Sequence, residues 1–69
     1  MSKFSSRLKE IRVDSGKKQR EVAEHLGIKP RSYQAYESGD REPNIASLIA
    51  LADFFDVSLD YLMGRKDEK

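Results

Sequence analysis

The sequence predicts an all-α fold, a compact domain of five short helices, on the basis of three observations. Apolar residues recur every three or four positions in several short segments, which is the spacing of a helix that buries one face. No apolar alternation with a period of two continues far enough to indicate a strand. Glycine, proline and asparagine stand between the apolar segments, where helices start and stop. With 69 residues, the chain has room for one domain and one modest core.

The first three helices are predicted from short apolar stripes and from the residues that bound them. The first covers residues 3–15, after an N-cap at Ser2 and before a stop at Gly16. The second ends at Gly27, and Pro30 fits the first turn of the third. The apolar positions of these helices are Phe4, Leu8, Ile11, Val22, Ala23, Leu26, Tyr33 and Tyr36.

The fourth helix is the most hydrophobic segment of the chain and is predicted to be the core helix. Asn44 caps its N-terminus, just after Pro43 has kept the connector from becoming helical. Ser58 caps a short fifth helix, which Gly64 ends before a charged tail at residues 65–69. The apolar positions are Ile45, Leu48, Ile49, Leu51, Ala52 and Phe55 in the fourth helix, and Leu59, Leu62 and Met63 in the fifth.

The composition argues against several classes of protein and of site. Cysteine is absent and the single histidine has no second ligand at a metal-binding spacing, so we expect no disulfide framework and no metal site. No serine stands in a nucleophile elbow with an acid–base partner, so we expect no enzyme. No apolar run approaches the ~20 residues that cross a bilayer. We expect a cytoplasmic protein that needs no cofactor, touches no membrane and takes no small-molecule ligand.

The charges are distributed unevenly, although the net charge is only +1. A basic face attracts phosphate and an acidic face repels it, so the asymmetry would orient the domain on a duplex. An ordinary solvated surface would explain the charges equally well. The basic residues of the first part are Lys3, Arg7, Lys9, Arg12, Lys17, Lys18 and Arg20, followed by Lys29, Arg31 and Arg41, and the acidic residues of the later helices are Asp53, Asp56 and Asp60.

Residues 19–38 match the spacing of a helix-turn-helix motif. With Gln19 as its first position, small or apolar residues stand wherever the motif requires them. Ala23 must be small because the second helix of the motif crosses close to it, and Gly27 can take the positive φ angle of the turn. The other matching positions are Val22, Leu26, Ile28, Tyr33 and Tyr36. Agreement at all of these positions is far more specific than a single glycine pattern.

Beyond the motif, nearly the whole chain resembles the Cro and lambda-type repressor family of helix-turn-helix regulators, which are XRE-like. The segments that carry the resemblance are RLKEIR, VAEHLGI, YESGDREPN and LIALADFFDVSLDYLMG. The resemblance implies a lambda-repressor-like DNA-binding domain over residues 1–64, with a recognition helix in the major groove. It also implies a transcriptional regulator, a repressor more often than an activator, that binds a palindromic operator as a homodimer.

The resemblance further implies roles for single side chains. Gln19 matches a phosphate contact at the N-terminus of the second helix. On the exposed face of the recognition helix, Arg31 suits guanine, Gln34 suits adenine and the methyl group of Ala35 suits thymine. The base-reading set is Lys29, Arg31, Gln34 and Ala35, and the phosphate set is Gln19, Ser32, Ser38 and Arg41.

The chain departs from the family pattern at three positions. Lys18 and Lys29 stand where the family favours a Thr or Ser N-cap, so both caps are expected to be lost, at ~1 kcal/mol each. Pro30 stands where some repressors place a base-reading glutamine, and it offers no hydrogen-bond donor. A lysine at a helix N-terminus interacts unfavourably with the positive end of the helix macrodipole. A phosphate bound between the two N-termini would offset this repulsion and would explain the two lysines.

Some residues have a structural interpretation that competes with a functional one. The inward motif positions of Tyr33 and Tyr36 favour core packing over base stacking. His25 is expected to be solvated on the outer side of the second helix. The resemblance pairs Arg12 with Glu37 in a buried or half-buried ion pair with an architectural role, and the alternative is two independent surface charges.

The last helix is the predicted dimer interface, although a terminal apolar helix can equally finish the core. The interface residues are Val57, Leu59, Leu62 and Met63. The rival function is a protein-interaction module, antitoxin-like or coactivator-like, that uses the same fold to hold a partner. The near-neutral net charge and the lost caps favour this rival.

Overall fold

The computed structural model describes residues 3–67, and five α-helices form most of that range. These helices are α1 (Lys3–Asp14), α2 (Gln19–Leu26), α3 (Pro30–Ser38), α4 (Ile45–Phe55) and α5 (Leu59–Leu62). No strand occurs between residues 3 and 67, so the all-α prediction is confirmed. The predicted N-cap Ser2 lies outside the described residues.

One core lies where the five helices meet, and each helix contributes at least one fully buried side chain to it. The largest in each helix are Leu8, Val22, Tyr33, Leu51 and Leu62, all with no exposed surface. Burying an aliphatic side chain of this size stabilises the fold by about 1.5–3 kcal/mol. Because the apolar residues of all five helices pack in one shared core, the orientation of α3 depends on the packing of the other four helices.

The helix ends are fixed by local geometry that the sequence predicted. Gly27 adopts a left-handed conformation with a φ of 72°, and this sharp turn leads from α2 directly into α3. The Asn44 side chain accepts a hydrogen bond from the Ser47 backbone N–H at 2.8 Å. The Ser58 hydroxyl oxygen accepts one from the Tyr61 backbone N–H at 3.0 Å. Both predicted N-caps are therefore confirmed.

The two N-termini without a Ser or Thr cap differ from each other. Neither Lys18 nor Lys29 makes a side-chain cap hydrogen bond, as expected. At α2, however, the Glu21 carboxylate accepts a hydrogen bond from the Lys18 backbone N–H at 2.9 Å. This is one half of a capping box, so the expected loss at α2 is only partial. At α3, Pro30 occupies the first helical position, where its missing N–H needs no partner.

The fourth helix, predicted to be the core helix, contributes to the core but is only partly buried. Leu51 and Ala52 are buried, but Ile45 is 73% exposed and Ile49 is 48% exposed. Residues four positions apart lie on the same face of a helix, so α4 presents an apolar stripe to solvent. The C-cap residue that follows the helix is Asp56, which adopts the left-handed conformation with a φ of 54° without being a glycine.

Candidate nucleic-acid interface

The α2–turn–α3 unit leaves one face of α3 open. Arg31 and Gln34 are exposed on this face, and Ala35 is half-buried between them and the core. These three residues line a shallow groove of about 260 Å³ together with Ser38 and Asp40. Three of the four predicted base-reading residues and one predicted phosphate contact therefore lie at one surface. Neither Arg31 nor Gln34 makes a side-chain hydrogen bond to any residue between 3 and 67, so both remain available to a ligand.

The remaining predicted contacts of this surface stand at the two ends of α3. Lys29 is the exposed N-cap residue, and its carbonyl accepts hydrogen bonds from the backbone N–H groups of Ser32 and Tyr33. Ser32 is half-buried in the first turn. Arg41 is exposed just past the C-terminus of the helix. Side chains at both ends thus flank the open face, an arrangement that suits a ligand longer than the helix itself.

Ser38 is already engaged by its neighbours. Its hydroxyl lies 3.1 Å from an Asp40 carboxylate oxygen and 3.2 Å from the Ala35 carbonyl oxygen. A hydroxyl has one hydrogen to donate, so a bond from Ser38 to a phosphate would replace one of these two. The neighbouring Asp40 carboxylate also repels phosphate at this point.

A network of polar side chains lies behind the open face and joins three helices at Glu37. The residue Glu37 is only 7% exposed, and the Arg12 guanidinium donates to both of its carboxylate oxygens, Nε at 2.6 Å and Nη2 at 3.2 Å. The Gln19 amide nitrogen, from the start of α2, donates to the same carboxylate at 3.1 Å. The geometry confirms the predicted ion pair between Arg12 and Glu37. The bond to Gln19 was not expected.

The network decides the protonation of Glu37. Burial alone would raise the pKa of this carboxyl group, but its interactions with Arg12 first, and then with Tyr33 and Gln19, favour the charged form and hold the pKa below its usual value. Hydrogen bonding to Glu37 also raises the pKa of Arg12. The pair therefore stays ionised at neutral pH. Burial raises the pKa of Tyr33, and the nearby Glu37 carboxylate raises it further, although the buried Tyr33 hydroxyl makes no hydrogen bond of standard geometry with residues 3–67.

The aromatic side chains of the motif, Tyr33 and Tyr36, pack in the core or against it. Tyr33 is fully buried, and Tyr36 packs against it edge to face with ring centroids 6.2 Å apart. His25 is exposed, as expected, but its ring also packs on Phe54 at a centroid distance of 4.3 Å. Neither tyrosine is placed to stack on a base.

Lys9 is a surface cation that the sequence analysis did not single out as a contact. It reaches from α1 into a second shallow groove, of about 180 Å³, whose other walls are Gln19, Gln34, Glu37 and Ser38. Lys9 is exposed, and no carboxylate among residues 3–67 forms an ion pair with it. A signal was available, because Lys9 precedes Arg12 by one helical turn and Arg12 pairs with Glu37 on α3.

Two of the basic residues counted toward a basic face have internal roles instead. Arg12 is held by Glu37, as described above. The Arg7 guanidinium stacks over the Tyr61 ring at 4.2 Å and donates to the carbonyl oxygens of Tyr61 and Lys66, each at 3.2 Å. It also pairs with Asp67 at 3.5 Å. The basic surface therefore contains fewer available cations than the sequence predicts.

The predicted dimer residues differ in exposure. Leu59 is 41% exposed, and Val57 and Met63 are half-buried. Leu62 is fully buried in the core, so its side chain cannot touch a second subunit in this conformation. Its assignment to an interface is corrected accordingly, since α5 uses one face to finish the core.

Two further features of residues 3–67 bear on the type of site. No group of three or more His, Cys, Asp or Glu side chains in this range is arranged to hold a metal ion. No helix in the same range is long and apolar enough to cross a membrane.

The described part of the charged tail forms ion pairs with α5, where Asp60 pairs with Arg65 at 4.0 Å and with Lys66 at 3.9 Å.

Curated relatives match most of this chain. The sequence profile of the Helix-turn-helix family matches residues 8–62. The uncharacterised HTH-type transcriptional regulator YqaE of Bacillus subtilis (strain 168) is 45% identical over 67 residues, which are 96% of this chain and 58% of that protein. The HTH-type transcriptional regulator ImmR of the same organism is 44% identical over 65 residues, 94% of this chain and 50% of that protein. The chain thus spans half or slightly more than half of the length of these relatives.

Solved structures share the fold. A transcriptional regulator from Listeria innocua superposes with a TM-score of 0.87 at 33% identity, covering 100% of this chain and 65% of that one. The P22 c2 repressor, solved with a synthetic operator, superposes with a TM-score of 0.85 at 23% identity, covering 96% of this chain and 100% of that one. The profile match, the identities and the fold agree with the motif at residues 19–38. The chain therefore belongs to the helix-turn-helix family, among the XRE-like regulators of the Cro and lambda-repressor type.

Proposed function

We propose that this domain binds double-stranded DNA at an operator, with α3 in the major groove, and that it represses transcription in the cytoplasm. The observation that carries the proposal is the open face of α3. Arg31 and Gln34 project from it and make no side-chain hydrogen bond within residues 3–67, while Tyr33 and Glu37 are buried on the opposite face. The names of the relatives, HTH-type transcriptional regulators, support the same function.

Direct reading of bases is assigned to the centre of this face. Arg31 carries a planar guanidinium that can donate two hydrogen bonds to guanine, and the Gln34 amide can both donate to and accept from adenine. The Ala35 methyl group offers an apolar contact to a thymine methyl. Lys29, at the N-terminus of α3, completes the reading set.

Contacts to the phosphate backbone fix the register of α3 in the groove. Gln19, Ser32 and Arg41 have the positions for this role around the open face. Lys9 joins them, because it lines the groove that Gln19 and Gln34 share and because no carboxylate in the described part of the chain forms an ion pair with it. Ser38 is the weakest candidate, since Asp40 competes for its hydroxyl hydrogen.

We further propose that two copies bind a palindrome. A single α3 presents about four reading side chains, which is too little to select one site among the ~10⁶ or more that a genome offers. Two recognition helices in successive major grooves, about 34 Å apart, double the number of bases read. Leu59, Val57 and Met63 offer the apolar surface for the contact between subunits, on the region where acidic residues keep phosphate away.

Selection from a random duplex library at stated salt concentrations tests the proposal. We expect enrichment of a palindrome whose half-sites are one helical turn apart, and a 2:1 stoichiometry on the enriched sequence. The Arg31→Ala variant is the matched control and should lose the enrichment at one base pair in each half-site. No enrichment at any salt concentration would contradict the proposal and favour the protein-interaction module.

A further inference from the structure

We infer that Glu37 is a positioning residue for DNA binding, because it fixes the Gln19 amide in the orientation that donates to a phosphate. The inference deepens the proposed function and rests on it. Arg12 and Glu37 are expected from the sequence to have an architectural role alone. The bond from Gln19 links the same pair to the DNA surface.

The contacts around Glu37 leave Gln19 little freedom. One Glu37 oxygen, Oε1, accepts from the Gln19 amide nitrogen at 3.1 Å and from Arg12 Nη2 at 3.2 Å. The other oxygen, Oε2, accepts from Arg12 Nε at 2.6 Å. With the Glu37 side chain 3% exposed and the Arg12 side chain 14% exposed, water competes weakly for these bonds.

The charge of Glu37 selects one of the two orientations of the Gln19 amide. An ionised carboxylate only accepts hydrogen bonds, so Gln19 must turn its NH2 group toward Glu37 and its carbonyl oxygen away. An NH2 group carries two hydrogens, and Glu37 takes one of them. The second hydrogen stays free in the groove that Lys9 also lines, where a phosphate would accept it.

Arg12 keeps this orientation stable. Without a counter-charge, the buried Glu37 carboxyl group would tend to take up a proton, and a protonated carboxyl group can donate to the Gln19 carbonyl oxygen. The amide could then turn over and present an acceptor to the phosphate, which repels it. By holding the Glu37 charge, Arg12 ensures that Gln19 is ordered as a donor before DNA arrives, so binding need not order it.

A double-mutant cycle on duplex affinity tests the inference. We expect Gln19→Ala to weaken binding about tenfold, as the loss of a hydrogen bond to a charged group does. Glu37→Gln should weaken binding roughly five- to tenfold in the natural chain but less than twofold when Gln19 is already alanine, because its effect passes through Gln19. Thermal unfolding and circular dichroism confirm that each variant is folded at the assay temperature.

The control is Glu24→Gln, which changes the charge by the same amount at an exposed position of α2 and should act equally in both backgrounds. Equal effects of Glu37→Gln in both backgrounds would overturn the inference and leave the proposed function intact. Absence of duplex binding by the natural chain would instead overturn the proposed function.

A measurement on the natural chain covers the case in which Glu37→Gln does not fold. The ¹⁵N relaxation of the Gln19 side-chain amide in the free protein should indicate order close to that of the backbone. The exposed Gln34 amide serves as the mobile reference in the same spectrum. Equal mobility of the two amides would show that Glu37 does not hold Gln19, and would overturn the inference.

Discussion

A single carboxylate, that of Glu37, connects the stability of this domain with its proposed DNA surface. It binds a guanidinium from α1 and an amide from α2 while standing on α3. A buried pair of this kind adds little net stability when intact, but breaking it leaves a charge without a partner. Glu37 is therefore a residue at which a conservative change should have measurable effects on both folding and binding.

At the residue scale, we predict that Glu37→Gln lowers the free energy of unfolding by about 1–3 kcal/mol at pH 7 and flattens its pH dependence in acid. The hydrogen bonds lower the pKa of Glu37 in the folded state, so the unfolded state, with a pKa near 4.5, takes up the proton first. The stabilisation is complete above that value and is lost as the pH falls through the folded pKa. Urea unfolding from pH 7 to pH 2 measures both effects.

The exposed Glu24→Gln variant is the control for this series and should change the unfolding free energy by less than about 0.5 kcal/mol at pH 7. Parallel pH profiles for the natural chain and Glu37→Gln would contradict the prediction.

Residues whose role depends on neighbours in sequence were the most predictable. Asn44 and Ser58 are N-caps, and Gly27 forms the turn, because each role is decided within a few residues. The bond from Gln19 to Glu37 spans 18 residues and two helices, and the Arg7 contacts span at least 54. A pattern in sequence does not specify such pairs, because they depend on the angles at which helices pack.

At the scale of the element, α3 has two faces with different tasks. Its buried face is fixed by Tyr33 and Glu37, and its open face presents Arg31, Gln34 and Ala35. The motif predicted this division correctly. For α4, the hydrophobic periodicity did not predict burial correctly, because Ile45 and Ile49 fit an apolar stripe but are exposed to solvent. Periodicity shows that a helix face is apolar, but it does not show which part of the molecule covers that face.

For α3, we predict that Arg31→Ala costs ~1–3 kcal/mol of affinity for the selected operator and much less for a random duplex. The reason is that a bidentate contact to a base would be lost, whereas contacts to phosphates would remain. Fluorescence anisotropy with both duplexes at one salt concentration measures the difference. Gln34→Ala is the parallel variant, with a smaller expected effect. An equal loss on both duplexes would show that Arg31 contacts a phosphate.

For α1, we predict that Lys9→Ala weakens binding to every duplex and reduces the slope of log affinity against log salt by ~0.9, the contribution of one phosphate contact. Lys9 lines a groove with Gln19 and Gln34, and none of the carboxylates between residues 3 and 67 forms an ion pair with it. Lys66→Ala is the matched control, because Lys66 pairs with Asp60 instead. If Lys9→Ala left the slope unchanged, Lys9 would not contact a phosphate, and α1 would not belong to the interface.

The whole molecule presents apolar surface on its later helices. Ile45, Ile49 and Leu59 are all exposed by 41% or more, whereas Leu62 is sealed in the core. The sequence predicted a partner contact in this region but could not separate the inward from the outward face of α5. Four residues form little more than one helical turn, too short for a pattern to mark both faces.

At this scale, we predict that Leu59→Lys weakens binding to a full palindrome at least tenfold while leaving half-site binding nearly unchanged. A charge at the contact between subunits would abolish cooperative binding of the two subunits and leave the DNA contacts of α3 unchanged. Val13→Lys is the matched control, since Val13 is 57% exposed on α1. Sedimentation equilibrium on and off DNA gives the stoichiometry. Equal losses in both variants, or none in either, would place the dimer contact elsewhere.

The contacts of Arg7 with the last described residues have a consequence for the order of folding. They join positions 54 to 60 residues apart, so forming them closes almost the entire chain into one loop. Closing so long a loop is entropically unfavourable until the intervening helices have packed, so these contacts should be absent from the folding transition state. We therefore predict that Arg7→Ala leaves the folding rate within twofold of its original value and accelerates unfolding several-fold. Stopped-flow chevron plots measure both rates, and an equally slowed folding arm would show instead that the two ends of the chain meet early.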